Sequence, residues 1–228
     1  MNKKILWMLA ASLILLPACR VWLFPEEFHF TGTLEVTEHN VGARVPGRIT
    51  ELFIDEGSSV KTGDVIATLD RYEQARKDYE RAKKLFEKGG VSEQTLEEAS
   101  LTLQDQQILS PVNGNVLVKI KEKGEVVSAG SPVAVIGDMS KRWVRIFVPE
   151  GQINRISLGD SAQIHFDGIG QSFRGRVIFI ATRAEFTPRN VQTEEERVTQ
   201  TFAVKVEIQD PPENLRPGVA ADLKLKVK

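Results

Sequence analysis

Few residues of this chain are arranged to do chemistry, and the one with a definite chemical use is Cys19. It is the only cysteine. It follows Leu16-Pro17-Ala18, behind Lys3, Lys4 and an uncharged apolar run from Ile5 to Ala18. A basic segment before an apolar one is an export address. Two fates stay open for it. In one, Leu16 to Cys19 is a lipobox, cleavage precedes Cys19 and its thiol carries lipid, although Pro17 stands where a small residue is usual. In the other, the segment stays uncleaved. Ile5 to Phe24 is 20 residues, long enough to cross the hydrocarbon core, with Arg20 able to snorkel and Trp22 suited to the interface. Either way residues 1–24 read as an export signal or membrane anchor, and the bulk of the chain lies beyond the inner membrane.

The other reactive side chains are dispersed. A single cysteine excludes an internal disulfide and a thiolate metal cluster. His29, His39 and His165 lack ligand spacing, so no metal site is expected. No Ser/His/Asp or Cys/His set, carboxylate pair or phosphate loop stands out, and Gly168-Ile169-Gly170 is too short to count as one. No enzymatic activity and no cofactor are expected. A net charge of −1 argues against a nucleic-acid partner.

Positioning elements are more legible than reactive groups. The stretch Gly47 to Gly63 returns at an offset of 67 residues as Gly114 to Gly130. Gly47 matches Gly114, Gly57 matches Gly124 and Gly63 matches Gly130, while Ile49, Phe53, Val60 and Leu69 match Val116, Ile120, Val127 and Ile136. Short apolar-alternating strands broken by turns that use glycine's freedom would give this pattern. Neither copy has enough apolar surface to stand alone, so the two are expected to share one core.

Between the copies lies an insert with helical period. Tyr72, Ala75, Tyr79, Ala82 and Phe86 form one coiled-coil seam, with Glu73–Lys77 and Glu80–Lys84 as i,i+4 pairs. The first helix is expected over Arg71 to Lys88, about 27 Å long, and to stop at Gly89-Gly90. Ser92 is a good N-cap for the second, whose seam is Leu96, Ala99 and Leu103. Pro111 closes the insert. Residues 71–88 carry seven basic and four acidic side chains, and residues 92–108 carry four acidic and no basic ones, so the arms attract, weakly for each exposed pair.

From Arg142 onward the pattern is β. Trp143–Val148, Ala162–Phe166, Gly175–Ile180, Phe202–Ile208 and Ala221–Val227 read as short strands of a small antiparallel barrel. Phe28 to Thr37 is expected to add a strand. Thr187 to Gln200, with Glu194-Glu195-Glu196, reads as an exposed loop.

The repeated halves resemble the lipoyl/biotinyl carrier fold, in which a modified lysine sits on a tight hairpin between the halves. Here the insert occupies that place and no such lysine remains. A lipoyl-like module split by a helical hairpin, behind an export anchor, resembles the HlyD/MacA-type membrane fusion proteins, the periplasmic adaptors. The resemblance implies a mainly β chain: a split lipoyl-like module (41–70 and 109–138), a coiled-coil α-helical hairpin (71–108) and a small β-barrel (28–40 and 139–228). Leu158-Gly159-Asp160 and Leu215-Arg216-Pro217-Gly218 look like the family's barrel turns. It also implies a non-enzymatic link, as a homo-oligomer of six, between an inner-membrane transporter and a TolC-like outer-membrane channel in efflux or secretion. Arg81, Leu85 and Ser92 fit the family's channel-docking spacing at the hairpin tip. The guanidinium would donate to carbonyls at a helix end and Leu85 would be an apolar plug. Each residue also has a plain structural use: solvated arginine, packing leucine, N-cap serine. The stretch Glu185 to Thr193 looks most like adaptors of ABC exporters. The hairpin is shorter than in many members. Two other functions remain in view, a carrier subunit and a purely structural envelope lipoprotein.

Overall fold

The computed structural model describes residues 27–186, 200–212 and 215–226. The expected export signal or anchor 1–24 with Cys19, and residues 187–199 of the expected acidic loop, lie outside the described residues. No helix among the described residues is long and apolar enough to cross a membrane. The chain divides into two compact units, one of residues 36–142 and one of the flanking segments up to Glu35 and from Trp143. Two long strands, β1 (Glu27–Gly42) and β8 (Pro132–Pro149), run through both.

The first unit is built by the repeat, and the repeat pairs crosswise. Strands β2 (Gly47–Leu52), β3 (Ser59–Val60) and β4 (Val65–Leu69) come from the first copy. Strands β5 (Gln107–Leu109), β6 (Gly114–Lys119), β7 (Val126–Val127) and the start of β8 come from the second. β2 pairs with β7, setting Gly47 against Val127, and β6 pairs with β3, setting Gly114 against Val60. Hydrogen bonds repeat with the same offset. Gly57 N–H donates to Val116 O and Gly124 N–H to Ile49 O, both at 2.8 Å. Gly63 N–H donates to Ser110 O and Gly130 N–H to Ala43 O, also both at 2.8 Å. Each half therefore completes its sheet with strands of the other, which is why neither copy alone would bury its apolar face. Ile49, Ile66, Leu69, Ile108, Val116 and Ile136 are fully buried in the shared core, at about 1.5–3 kcal/mol of transfer free energy per side chain.

The glycines divide into two roles. Gly57 and Gly124 have φ of 83° and 94°, a region closed to most side chains. They stand third in turns built alike. In Asp55–Ser58 and Glu122–Glu125, the fourth residue's N–H donates to the first residue's carbonyl, and its side chain accepts from the first residue's N–H. Lys61–Asp64, Ser128–Ser131 and Ser157–Asp160 repeat the arrangement. Gly47 and Gly114 are instead strand residues without positive φ, so the expected turn role does not apply to them. A Cβ on Gly114 would lie 2.1 Å from the Gly137 carbonyl oxygen. What this position requires is close backbone approach.

The second unit is a six-stranded antiparallel barrel. Around it run β12 (Gln200–Ile208), β10 (Ser172–Ile180), β9 (Ser161–Phe166), β13 (Ala220–Lys226), β1 and β8, and β8 pairs with β12 to close it. β9 and β13 alternate strictly between exposed and buried residues, as a one-sided strand must. Leu34, Ile146, Ile164, Phe166, Leu223 and Leu225 fill the interior. A two-residue strand β11 (Glu185–Phe186) adds to β12. Gly159 and Gly218 sit in turns as expected, both at φ 89°. Pro149 leads into a single helical turn, α3 (Glu150–Ile153).

Candidate functional site

The insert folds as two antiparallel helices, α1 (Tyr72–Phe86) and α2 (Glu93–Asp105). Its seam follows the sequence pattern: Ala75 and Ala82 are buried, and Tyr72, Tyr79, Leu96, Ala99 and Leu103 are half-buried. Phe86, the last residue of α1 and the last of the expected seam, is instead exposed. The feet of the hairpin are clamped by the first unit. Leu69 N–H donates to Gln106 O at 3.0 Å, and Ala67 faces Ile108 across β4–β5. Gln107 and Ile108 thus belong to a strand of the sandwich, since Ile108 is buried in its core. This junction is where a carrier would present its lysine, and the hairpin fills it.

The surface charges pair otherwise than spacing suggests. Glu73 and Glu80 both turn to Arg76, at 2.8 and 3.0 Å, in place of Lys77 and Lys84. A guanidinium has donors on two sides and can bridge carboxylates one turn before and after it, which an ammonium at i+4 does less well. The hydrogen bond that Arg76 donates to Glu73, with both carboxylates' charges, raises the Arg76 pKa.

At the far end the chain reverses through Glu87 to Ser92. Gly90 N–H and Lys88 N–H both donate to Leu85 O, at 2.8 and 3.1 Å, and Gly89 takes φ 70°. Ser92 is the N-cap of α2. Its Oγ accepts from Thr95 N–H at 3.2 Å and lies 3.0 Å from Thr95 Oγ1. Arg81 is 69% exposed and held by Asp78 at 3.1 Å. Leu85, one turn on along α1, is 42% exposed. The structure therefore brings Arg81, Leu85 and Ser92 to the tip end of the hairpin. An exposed guanidinium beside an exposed leucine is a surface able to donate hydrogen bonds and bury an apolar group on a partner.

Outside the hairpin, His29 and His165 are exposed on the barrel and His39 is half-exposed on β1. Among the described residues no three His, Cys, Asp or Glu side chains are placed to hold a metal ion.

Two domain families account for the two units. The barrel-sandwich hybrid domain of RND membrane fusion proteins matches residues 37–138. The CusB-like β-barrel domain matches residues 141–228. The chain belongs to the membrane fusion protein family. Among curated relatives, the UPF0194 membrane protein in the asrC 5′ region of Acidithiobacillus ferridurans is 38% identical over 118 residues. That match spans 51% of this chain and 35% of that protein. Among solved structures, a MacA–MexA chimera carrying the Pseudomonas aeruginosa MexA α-hairpin shares the fold, with TM-score 0.63 and 21% identity over 90% of this chain and 83% of that one. The periplasmic adaptor protein EmrA does so with TM-score 0.54 and 15% identity over 89% and 99%.

Sequence patterning did not single out one feature of the barrel. Phe147, Leu158, Ile178 and Phe179 are exposed large apolar residues. The signal was present in Val177-Ile178-Phe179-Ile180, a run of four apolar residues in a strand that otherwise alternates.

The cap at Ser92 supports a direct test of its two uses. Ser92→Ala is expected to destabilise the hairpin by about 1 kcal/mol, since α2 loses its side-chain cap. Ser92→Asp keeps a capping oxygen. Hydrogen exchange at the Thr95 amide should quicken in the alanine variant and stay slow in the aspartate variant. Equal exchange in all three proteins would remove the cap.

Proposed function

We propose that this membrane fusion protein is a periplasmic adaptor, tethered to the inner membrane by residues 1–24, that joins an inner-membrane exporter to a TolC-like outer-membrane channel. The tether is either the uncleaved segment or lipid on Cys19. The observation carrying this reading is the hairpin: it projects from the break between two crosswise-paired halves and ends in exposed Arg81 and Leu85. A protruding pair of short helices, with only its narrow seam covered, suits contact with other helices end to end. Arrayed as a ring of six, the hairpins would present a circle of guanidinium and leucine side chains to the channel's periplasmic end. The adaptor performs no covalent step; its work is to seal and align. We assign the exporter to the ABC type on the sequence from Glu185 to Thr193.

The experiment is photo-crosslinking in cells from position 85, with mass spectrometry of the captured protein. Capture of an outer-membrane channel supports the proposal. Capture solely of other copies of this chain, in cells that make a channel, makes Leu85 a packing residue and ends the docking claim. Cross-linked complexes pulled down with the full chain would show the exporter, and an RND pump there would overturn the ABC assignment alone.

A further inference from the structure

All the exposed large apolar side chains of the barrel unit, among the described residues, lie at one rim: Phe147, Leu158, Ile178 and Phe179. Leu158, 67% exposed, is in the turn Ser157–Asp160. Gly159 N–H donates to Val177 O, so Leu158 and Ile178 flank the same hydrogen bond. The register of β10 against β12 shifts between Val177 and Phe179. This bulge inserts an extra residue and leaves both Ile178 and Phe179 outside, where strict alternation would turn one inward. Phe147 stands two residues before the end of β8, opposite Ala203. Antiparallel pairing places these residues at the end where β1 begins. Glu27 faces Lys226, Leu225 faces Ala162, and Ser161 faces Arg176. The opposite rim, with the β9–β10 turn around Gly168, carries no exposed large apolar residue among those described.

The chain preceding this rim is short. The apolar run Ile5–Phe24 ends three residues before Glu27, a reach of about 11 Å at most at 3.6 Å per residue. With lipid on Cys19 the reach is about 29 Å. A barrel tethered so closely keeps the β1 rim, and not the other, near the membrane surface. Exposed cations flank the apolar run of β10 in sequence, Arg176 before it and Arg183 after it. Glu185 and Glu207 are interspersed with them, so the attraction is to individual phosphates rather than to a net negative surface.

We propose that the β1 rim of the barrel sits in the phospholipid headgroup layer of the membrane that holds the anchor. Leu158, Ile178, Phe179 and Phe147 reach below the phosphates, and Arg176 and Arg183 pair with them. Aromatic and aliphatic side chains with flanking cations are the composition that partitions to this layer. The inference rests on the anchor reading above.

The test uses the full chain, with a photo-crosslinking amino acid in place of Leu158 or Phe179 and, as control, of Asp167 in the far turn. It is reconstituted into vesicles of phosphatidylcholine and phosphatidylglycerol. The expected result is flotation with the vesicles, lipid adducts from 158 and 179, and none from 167. Leu158→Asp, an exposed change that the fold tolerates, should lower the adduct yield from 179 several-fold. A chain that floats without adducts at 158 and 179, or with as many at 167, overturns the rim contact and leaves the anchor standing. A chain that does not float overturns both. Capture of a membrane protein rather than lipid from 158 in cells would replace the lipid contact by one to the exporter.

Discussion

Arg81→Asp is expected to reduce export to the level of cells lacking the protein, while the variant folds and stays at the membrane. Arg81 is largely exposed and among the described residues pairs with Asp78, so the fold loses a surface pair, worth well under about 1 kcal/mol. The new carboxylate one turn from Asp78 costs a few tenths of a kcal/mol more. The docking surface loses far more. A five-donor fork becomes an acceptor facing the carbonyls it is proposed to bind, and a central arginine of this kind is typically worth about 2 kcal/mol or more per interface. A ring multiplies that loss by its number of copies. Arg76→Asp is the control. It removes two ion pairs from the same helix but lies below the tip, and export should persist. If both variants fail alike, helix stability is the cause and Arg81 has no docking role; export by the Arg81 variant would sink the docking proposal outright.

Gly114→Val carries the largest expected effect on stability. The side chain would start 2.1 Å from the Gly137 carbonyl oxygen and 2.9 Å from its carbon. Both are backbone atoms of a paired strand, so β6 and β8 must separate, at a cost of about 3 kcal/mol or more. Gly47 is the repeat-equivalent position, yet its added Cβ would meet the Asp70 and Leu69 side chains at 3.1–3.3 Å. The Asp70 carboxylate can turn away and Leu69 must give by only a few tenths of an ångström, so Gly47→Ala should cost about 1 kcal/mol. Urea unfolding of the full chain measures both. Equal losses at the two positions would show that the repeat, and not the local approach of strands, sets the requirement.

The sequence showed the repeat because glycines and buried aliphatic residues are fixed by backbone geometry, and Ile49/Val116 and Val60/Val127 occupy equivalent buried places in the structure. It could not show that the copies exchange strands. Pairing β2 with β7 or with β3 satisfies the same alternation, and only three-dimensional closure decides. Helix existence and seam were legible from the 3–4 spacing of Tyr72 to Phe86. The ion pairs were not, because Arg76 competes with Lys77 and Lys84 for the same carboxylates. Of the proposed tip residues, Ser92 was readable as a cap from its type alone. The exposure of Arg81 and Leu85 needed the structure. The barrel rim was hidden because a β-bulge turns a buried-looking apolar run to the outside.

The clamp at the hairpin's feet makes the hairpin a loop whose ends are already joined. Leu69 and Gln106 are one hydrogen bond apart whatever lies between them. The entropy of closing such a loop rises only by about 0.6 kcal/mol for each doubling of its length. Each heptad added to both arms extends the reach by about 10.5 Å and leaves β4 and β5 unaltered. The hairpin is in this sense a ruler fixed at one end, and the distance it measures can be reset by insertion or deletion without redrawing the sandwich that holds it.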